Sequence, residues 1–307
     1  MLRFIVIRSL LIVPTILGVV TLVFFFIHMV PGDPVVLMLG DYATKQEVQS
    51  MRHRLNLDRP LLSQYGMYLD DLIHGDLGTS IYYKRPAAGI VLRRFGYTAV
   101  LALFAMLLSL LISTPLGIIA AFRQDSWLDK AIGGASVVGL SLPNFLIGIV
   151  LILMFSVKLD LLPVAGAQSL SSLVLPGLTL AIGMSAMTIR MVRANMIAAI
   201  RHESFTAGLA RGLGTGRALF FHALKAALIP VITLIGMQFG LLLSGAIVTE
   251  TVFSWPGIGK LLVDSVTTRD YPLLSAAVLV IASVYVVVNL VTDIAYYLVE
   301  PRMRRVQ

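Results

Sequence analysis

Long apolar stretches alternate with short polar ones along this chain. Six stretches stand out: Ser9–Val30, Tyr97–Phe122, Ala131–Val157, Leu173–Ile189, Ala226–Thr249 and Leu273–Val299. A helix crossing a ~30 Å hydrocarbon core needs roughly 20 apolar residues, so each predicts a membrane span. The third and sixth are long enough to tilt, and the fourth is short and is expected to continue as a helix beyond the bilayer. Arg3 and Arg8 precede the first stretch as they would in a signal peptide. That stretch ends in Pro31-Gly32-Asp33-Pro34 instead of a small-x-small cleavage site, which predicts a retained helix.

Two connections between spans are too long for turns. Segment 31–95 holds two helix-like stretches, Lys45–Leu57 and Pro60–Ile73. In the second, Leu61, Tyr65, Tyr68/Leu69 and Leu72 recur at helical spacing, and Gly75 marks the stop. Such a helix lies on the bilayer or on its own bundle, or else docks a partner outside the membrane. In segment 190–225, the run from His202 to Gly212 predicts a short helix with Phe205, Gly208, Leu209 and Gly212 on one face. Small residues at 207, 208, 210 and 212 permit close approach of another surface, and Phe205 and Leu209 supply an apolar knob. Arg201 and Arg211 flank the helix, and Gly212, Gly214 and Gly216 break it. Two readings stay open: a plug for a pocket on another protein, or an ordinary linker.

Composition agrees with a lipid setting. The 307 residues are 58% hydrophobic and 13% charged, with mean hydropathy +0.90, against about 45–50% and about 25% in soluble domains. A water-soluble enzyme, a disordered chain and a fibrous chain are excluded on that ground. Cysteine is absent, so there is no disulfide framework, thiolate metal site or cysteine nucleophile. The charge is unevenly placed. Segments 1–8, 121–130, 190–225 and 299–307 carry thirteen Lys and Arg against four acids, whereas 31–95, 158–171 and 250–272 carry eleven of each. By the positive-inside rule both termini are expected in the cytoplasm. Topology and anionic lipid account for the net charge of +8 without nucleic acid.

The remaining polar residues form no catalytic set. The histidines at 28, 53, 74, 202 and 222 lack metal-ligand spacing. Pro256-Gly257-Ile258-Gly259-Lys260 resembles a phosphate loop only superficially, because Ser254 and Leu261 stand where that motif needs Gly and Ser/Thr. Asp293 in the sixth span is expected to pair near Arg302, and His28 to be an interface residue instead of a ligand. Pro143 predicts a kink in the third span, and the neighbouring Asn144 offers a hydrogen-bonding group to a pathway. Gly133-Gly134 and Ser244-Gly245-Ala246 are expected to serve close helix packing.

Several motifs, in order along the chain, carry a family resemblance. Thr206-Ala207-Gly208-x-x-x-Gly212, followed by His222-Ala223-Leu224 and Leu228-Ile229-Pro230, resembles the EAA loop (201–230) of ATP-binding-cassette (ABC) importer permeases. More narrowly, it is similar to the dipeptide/oligopeptide/nickel/glutathione subfamily. Supporting matches are Pro31-Gly32-Asp33-Pro34, Gly75-Asp76-Leu77-Gly78, Ser141-Leu142-Pro143-Asn144-Phe145, Phe253-Ser254-Trp255-Pro256-Gly257-Ile258-Gly259, Arg269-Asp270-Tyr271-Pro272, and Asn289-Leu290 with Asp293 and Glu300-Pro301-Arg302. Thr206 replaces the name-giving acid, and Gly208 and Leu209 stand where the subfamily usually has Ala and Arg.

The resemblance implies an all-α permease of six transmembrane helices (the type I importer fold) with an outer amphipathic segment and a cytoplasmic coupling helix. It divides the chain into the first helix (1–30), an outer segment (31–95) and a core transmembrane domain (96–307). It further implies a bacterial inner-membrane subunit importing a short peptide, glutathione or a nickel chelate by alternating access. Its implied partners are a second homologous permease, two ATPase subunits that bind ATP and Mg, and an extracytoplasmic solute-binding protein. No cofactor is implied in this chain. Glu203, Phe205, Thr206, Ala207, Gly208, Leu209, Arg211 and Gly212 would couple to the ATPase. Trp255, Pro256, Gly257, Gly259 and Asp76 would face the outer gate or the receptor. An ion-gradient-driven secondary transporter predicts buried mid-membrane charges and an inverted repeat, and an intramembrane enzyme predicts a nucleophile or metal set. None of these features is present in the sequence.

Overall fold

Helical segments fall within each of the six predicted stretches in a computed structural model that describes residues 2–29, 35, 44–54, 56–243 and 246–299. The described helices are α1 (Leu2–Met29), α2 (Lys45–Arg54), α3 (Leu61–Ile73), α4 (Ala87–Phe122), α5 (Trp127–Ser141), α6 (Asn144–Leu151), α7 (Val174–Arg201), α8 (Glu203–Ala210), α9 (Thr215–Ala218), α10 (Lys225–Leu243), α11 (Ile247–Val252), α12 (Ile258–Thr267) and α13 (Tyr271–Val299). Among the described residues there is no strand, only an isolated bridge between Thr79 and Pro86. Among the described residues three stretches are long and apolar enough to cross a membrane: Ala87–Phe122, Leu170–Arg201 and Tyr271–Ala295. A fourth forms if the bent pair Trp127–Ser141 and Asn144–Lys158 is one span. In α1 and α10 the described apolar stretches, Leu10–Phe26 and Pro230–Leu243, are shorter.

The predicted third span is broken, not merely kinked: its halves meet at 104°. Pro143 has no N–H to continue the ladder and drives the preceding residue out of the helical region. Leu142 accordingly sits at φ −85, ψ 127, and the second half starts afresh at Asn144. Ser126 caps the first half by accepting from the Asp129 N–H. The fifth predicted span is also interrupted, since Ala246 has ψ 57 and a separate helix begins at Ile247.

α7 is the central and most buried of the long helices, and it continues to Arg201 as the short fourth stretch predicted. It packs chiefly on α4, then on α10, α5 and α6. Glycines allow the close approach: a Cβ on Gly117 would stand 2.7 Å from Val192 Cβ, and one on Gly177 would overlap the Phe104 ring. Gly133 and Gly134 correct the sequence expectation, because a Cβ on either meets nothing within 4 Å. Ser244 and Gly245 lie outside the described residues.

At 36 residues α4 is about 54 Å long, and its two ends belong to different clusters. Ala87 and Val91 pack with Ile258, Leu261 and Leu273. Ala121, at the other end, packs with Val192, Met196, Phe205 and Ala218. These are called below the α12 end and the α8 end.

α3 keeps the predicted amphipathic face and the stop, with Gly75 at φ +78. Tyr65 and Tyr68 lie against Phe24 of α1, at ring distances of 5.2 and 5.5 Å, and the Tyr65 hydroxyl is 2.6 Å from Thr21 Oγ1. His28 joins this contact through Gln64 and is thereby placed as a packing residue. Part of the amphipathic face is therefore used on the chain's own bundle, while Leu61 at its start stays 43% exposed.

Candidate functional site

At the α12 end a single carboxylate organises the loop from Phe253 to Lys260. Glu250, on α11, is fully buried. Its Oε1 accepts from Thr98 Oγ1 of α4 at 2.6 Å, and its Oε2 accepts from the Lys260 N–H at 2.9 Å. Thr98 Oγ1 in turn accepts from the Ile258 N–H at 2.8 Å. The chain of bonds therefore runs from loop to helix and back to the acid. This arrangement explains why two positions must be glycine. A Cβ on Gly257 would overlap the Glu250 carboxylate, and one on Gly259 would stand 2.9 Å from both Glu250 Oε2 and the Ile247 Cα.

Trp255, only 4% exposed, donates its indole N–H to the Tyr97 carbonyl at 3.1 Å and meets the Tyr97 ring edge-on. Trp255, Pro256, Gly257 and Gly259 are thus brought together against α4, as one closed turn. Asp76 is not part of it. It is exposed and accepts from the Gly78 N–H at 2.8 Å, shaping its own turn. A second buried carboxylate ties that neighbourhood down: Asp270 accepts from Ser80 Oγ, from the Ile81 and Tyr82 N–H groups at 3.1 Å each, and from the Leu273 N–H at 3.3 Å.

At the α8 end the predicted short helix forms, and Gly212 at φ +79 terminates it. Its orientation differs from the sequence expectation. Phe205 is 6% exposed and packs into the cluster of Val192, Met196 and Ala218, and Gly208 is buried as well. The predicted knob is therefore an anchor to the chain's own core. Glu203, Thr206, Ala207, Leu209, Ala210, Arg211 and Gly212 remain exposed. The physical reason is local. A helix of eight residues has too little apolar surface to hold itself in place, and its one aromatic residue is used to seat it.

Close by, Asp129 and Arg193 form a two-pronged ion pair, with Nε to Oδ1 and Nη2 to Oδ2 both at 2.6 Å. Asp129 also accepts from the Asp125 N–H at 3.0 Å. The pair fastens the start of α5 to α7. Asn144 sits at the helix break, exposed, with its side chain against Gly183 of α7. The pairing expected between Asp293 and Arg302 involves a residue outside the described ones, as do the Pro31–Pro34 and Glu300–Arg302 matches.

Glu250, Asp270 and the Asp129–Arg193 pair were not singled out from sequence. Asp270 and Asp129 stand within three residues of a turn signal (Pro272, Ser126) and Glu250 seven before Gly257, and only the fold reveals their distant partners. Among the described residues no three His, Cys, Asp or Glu side chains gather to hold a metal.

Comparison with known proteins gives this arrangement a family. Residues 113–305 match the model for the binding-protein-dependent transport system inner membrane component, and residues 1–102 match the N-terminal model of the same systems' membrane component. The chain is 39% identical over 304 residues to the glutathione transport system permease protein GsiC of Escherichia coli strain CFT073, to that of strain K12 and to that of Shigella flexneri serotype 5b. Each match covers 99% of both chains. The chain belongs to the family of binding-protein-dependent transport system inner membrane components, the permeases of ABC importers.

Proposed function

We propose that this chain is the permease subunit through which an importer moves a short peptide or a related small solute, such as glutathione or a nickel chelate, across the bacterial cytoplasmic membrane. The observation that carries the reading is full-length similarity to glutathione permeases at 39% identity. Six spans, with α1 and α10 as the shorter ones, would leave both termini and the α8 end in the cytoplasm, where thirteen Lys and Arg fall. Transport would proceed by alternating access. ATP and Mg would act in two partner ATPases, a second homologous permease would complete the pathway, and a solute-binding protein would deliver the cargo to the α12 end.

The exposed face of α8 supports the coupling part of this reading. Phe205 fixes the helix to α7, so a push on Ala207, Leu209 or Arg211 would reach the central helix without an intervening loop. Asn144, at the break between α5 and α6, would border the pathway.

The test is reconstitution of the full complex in proteoliposomes, reading ATP-dependent uptake of dialanine and of glutathione. Ala207→Trp, on the exposed face, should leave the chain folded while abolishing uptake. Uptake equal to wild type in that variant overturns the coupling role. Gradient-driven transport by the purified chain alone would establish the secondary transporter instead.

A further inference from the structure

At the α12 end a cleft runs along α4 beside the latched loop, and its lining is cationic. One lobe, of about 750 Å³, lies between Arg93, Tyr97, Gln168, Ser169 and Trp255. A second, of about 540 Å³, lies between Tyr83, Arg85, Arg93, Arg94 and Pro256. Arg93 and Tyr97 border both, so the lobes adjoin.

The floor is a stripe of α4 that turns away from the chain's core. Gly89, Arg93, Gly96 and Val100 follow at helical spacing and are all exposed, whereas Val91, Thr98 and Leu101 face inward. The two glycines have no packing reason to be glycine, since a Cβ on Gly89 or Gly96 meets nothing within 4 Å. They leave space on either side of Arg93. Among the described residues no carboxylate lies within ion-pair distance of Arg85, Arg93 or Arg94. Glu250, buried behind this stripe and within electrostatic reach of Arg94, has both oxygens committed to Thr98 and Lys260.

Resting on the reading that this chain passes a small solute, we propose that the cleft is an entry subsite for a carboxylate group on the cargo, with Arg93 as the primary contact and Arg85 and Arg94 as flanking charges. A guanidinium presents parallel donors that match a carboxylate's two oxygens. Tyr97 and the edge of Trp255 supply a flat wall for the organic part of the solute. An open cleft with Arg93 between two glycines and an aromatic wall beside it gives a small carboxylate both a charge partner and a stacking surface. The cleft would hold the end of the cargo that every unmodified peptide carries, which fits a pathway that accepts varied side chains.

The chain's two tryptophans allow a direct test, because Trp255 borders the cleft while Trp127 starts α5 at the opposite end. In Trp127→Phe full-length protein, held in a neutral detergent, Trp255 fluorescence is titrated with dialanine and with dialanine amide. Dialanine is expected to give a saturable change. The amide should need at least tenfold higher concentration, and Arg93→Gln should lose the dialanine response while keeping the same thermal midpoint. Equal responses to acid and amide, or an unchanged response in Arg93→Gln, overturn the subsite. A response to phosphatidylglycerol but not to dialanine would make the cleft a lipid site and also overturn it. The reconstituted importer separates this outcome from the parent reading. If wild-type complex imports peptides but Trp255 reports no carboxylate, the subsite fails alone. If Trp255 reports carboxylate and no peptide is imported, the subsite stands and the peptide reading fails.

Discussion

Glu250→Gln is the smallest change that tests whether a carboxylate latches the α12 end. The side chain keeps its size, so no cavity opens. One acceptor oxygen becomes an NH2, which cannot accept from either the Thr98 hydroxyl or the Lys260 N–H. One buried donor is therefore left without a partner, at a cost of about 1–3 kcal/mol. Thr98→Val removes the hydroxyl that also serves the Ile258 N–H, and a cost of the same order, about 1–3 kcal/mol, follows. The two changes share one bond, so the double variant should cost less than the sum by about 0.5–3 kcal/mol. Equilibrium unfolding of the full-length chain in mixed micelles, followed by Trp255 emission, measures all three. Single costs that add to the double cost within about 0.5 kcal/mol would refute the shared latch, as would a Gln variant as stable as wild type.

Phe205→Ala should lower stability by about 3–5 kcal/mol, since it empties a buried site in the α8 cluster, whereas Leu209→Ala on the exposed side should change it by less than about 0.5 kcal/mol; thermal unfolding of both variants decides. Arg193→Ala should be the more harmful half of its ion pair, by about 1–3 kcal/mol, because it strands Asp129, whose side chain is only 7% exposed, while Asp129→Ala leaves an arginine that is 32% exposed; equal losses in unfolding experiments would contradict this. At α2, the Thr44 N–H and then its hydroxyl hold the Glu47 carboxyl below the usual carboxylate range. A depressed carboxyl stabilises above its unfolded value of about 4.5 and loses that contribution as the pH falls through the lowered folded value. Amide exchange at the start of α2 should therefore quicken, relative to α7, between pH 5 and about 3, and an unchanged ratio would show that the cap is not holding the helix.

How much of this was legible in the sequence depends on the range over which each residue acts. The positions of α3, α7, α8 and α13 follow from apolar spacing and from Gly75 and Gly212, which are local signals. The break at Pro143 was legible as a kink, but its 104° angle was not, since one lost N–H sets the place of a bend and the packing of α6 on α7 sets its size. The face of α8 was misjudged for a related reason. Helical spacing places Phe205, Gly208 and Leu209 together, yet it does not say which edge of that stripe turns inward, and Phe205 and Leu209 lie on opposite sides of the boundary. Glu250 is the clearest case of information absent from local sequence. Its partners are Thr98, 152 positions away, and a backbone N–H ten residues on.

These long-range contacts determine which parts of the molecule have to move together. Thr98 and Ala121 lie on one helix, α4, with Pro115 between them, the first bonded to the latch and the second packed with Val192 in the cluster that seats Phe205. α4 is held to α7 at its middle and toward its α8 end by side chains filling glycine positions, Phe104 over Gly177 and Val192 over Gly117. Contacts that tight cannot slide by a fraction of a side chain without overlap. Under the proposed coupling role, a force applied to α8 has two outlets: rotation of α4 and α7 as one body, or rupture of the Glu250 bonds at the far end. The first leaves the latch intact and tilts the cleft around Arg93, and the second opens the turn at Trp255. The Glu250→Gln variant separates them. Under rupture a weaker latch raises the rate of opening, and under rigid rotation it lowers stability while leaving the transport rate unchanged.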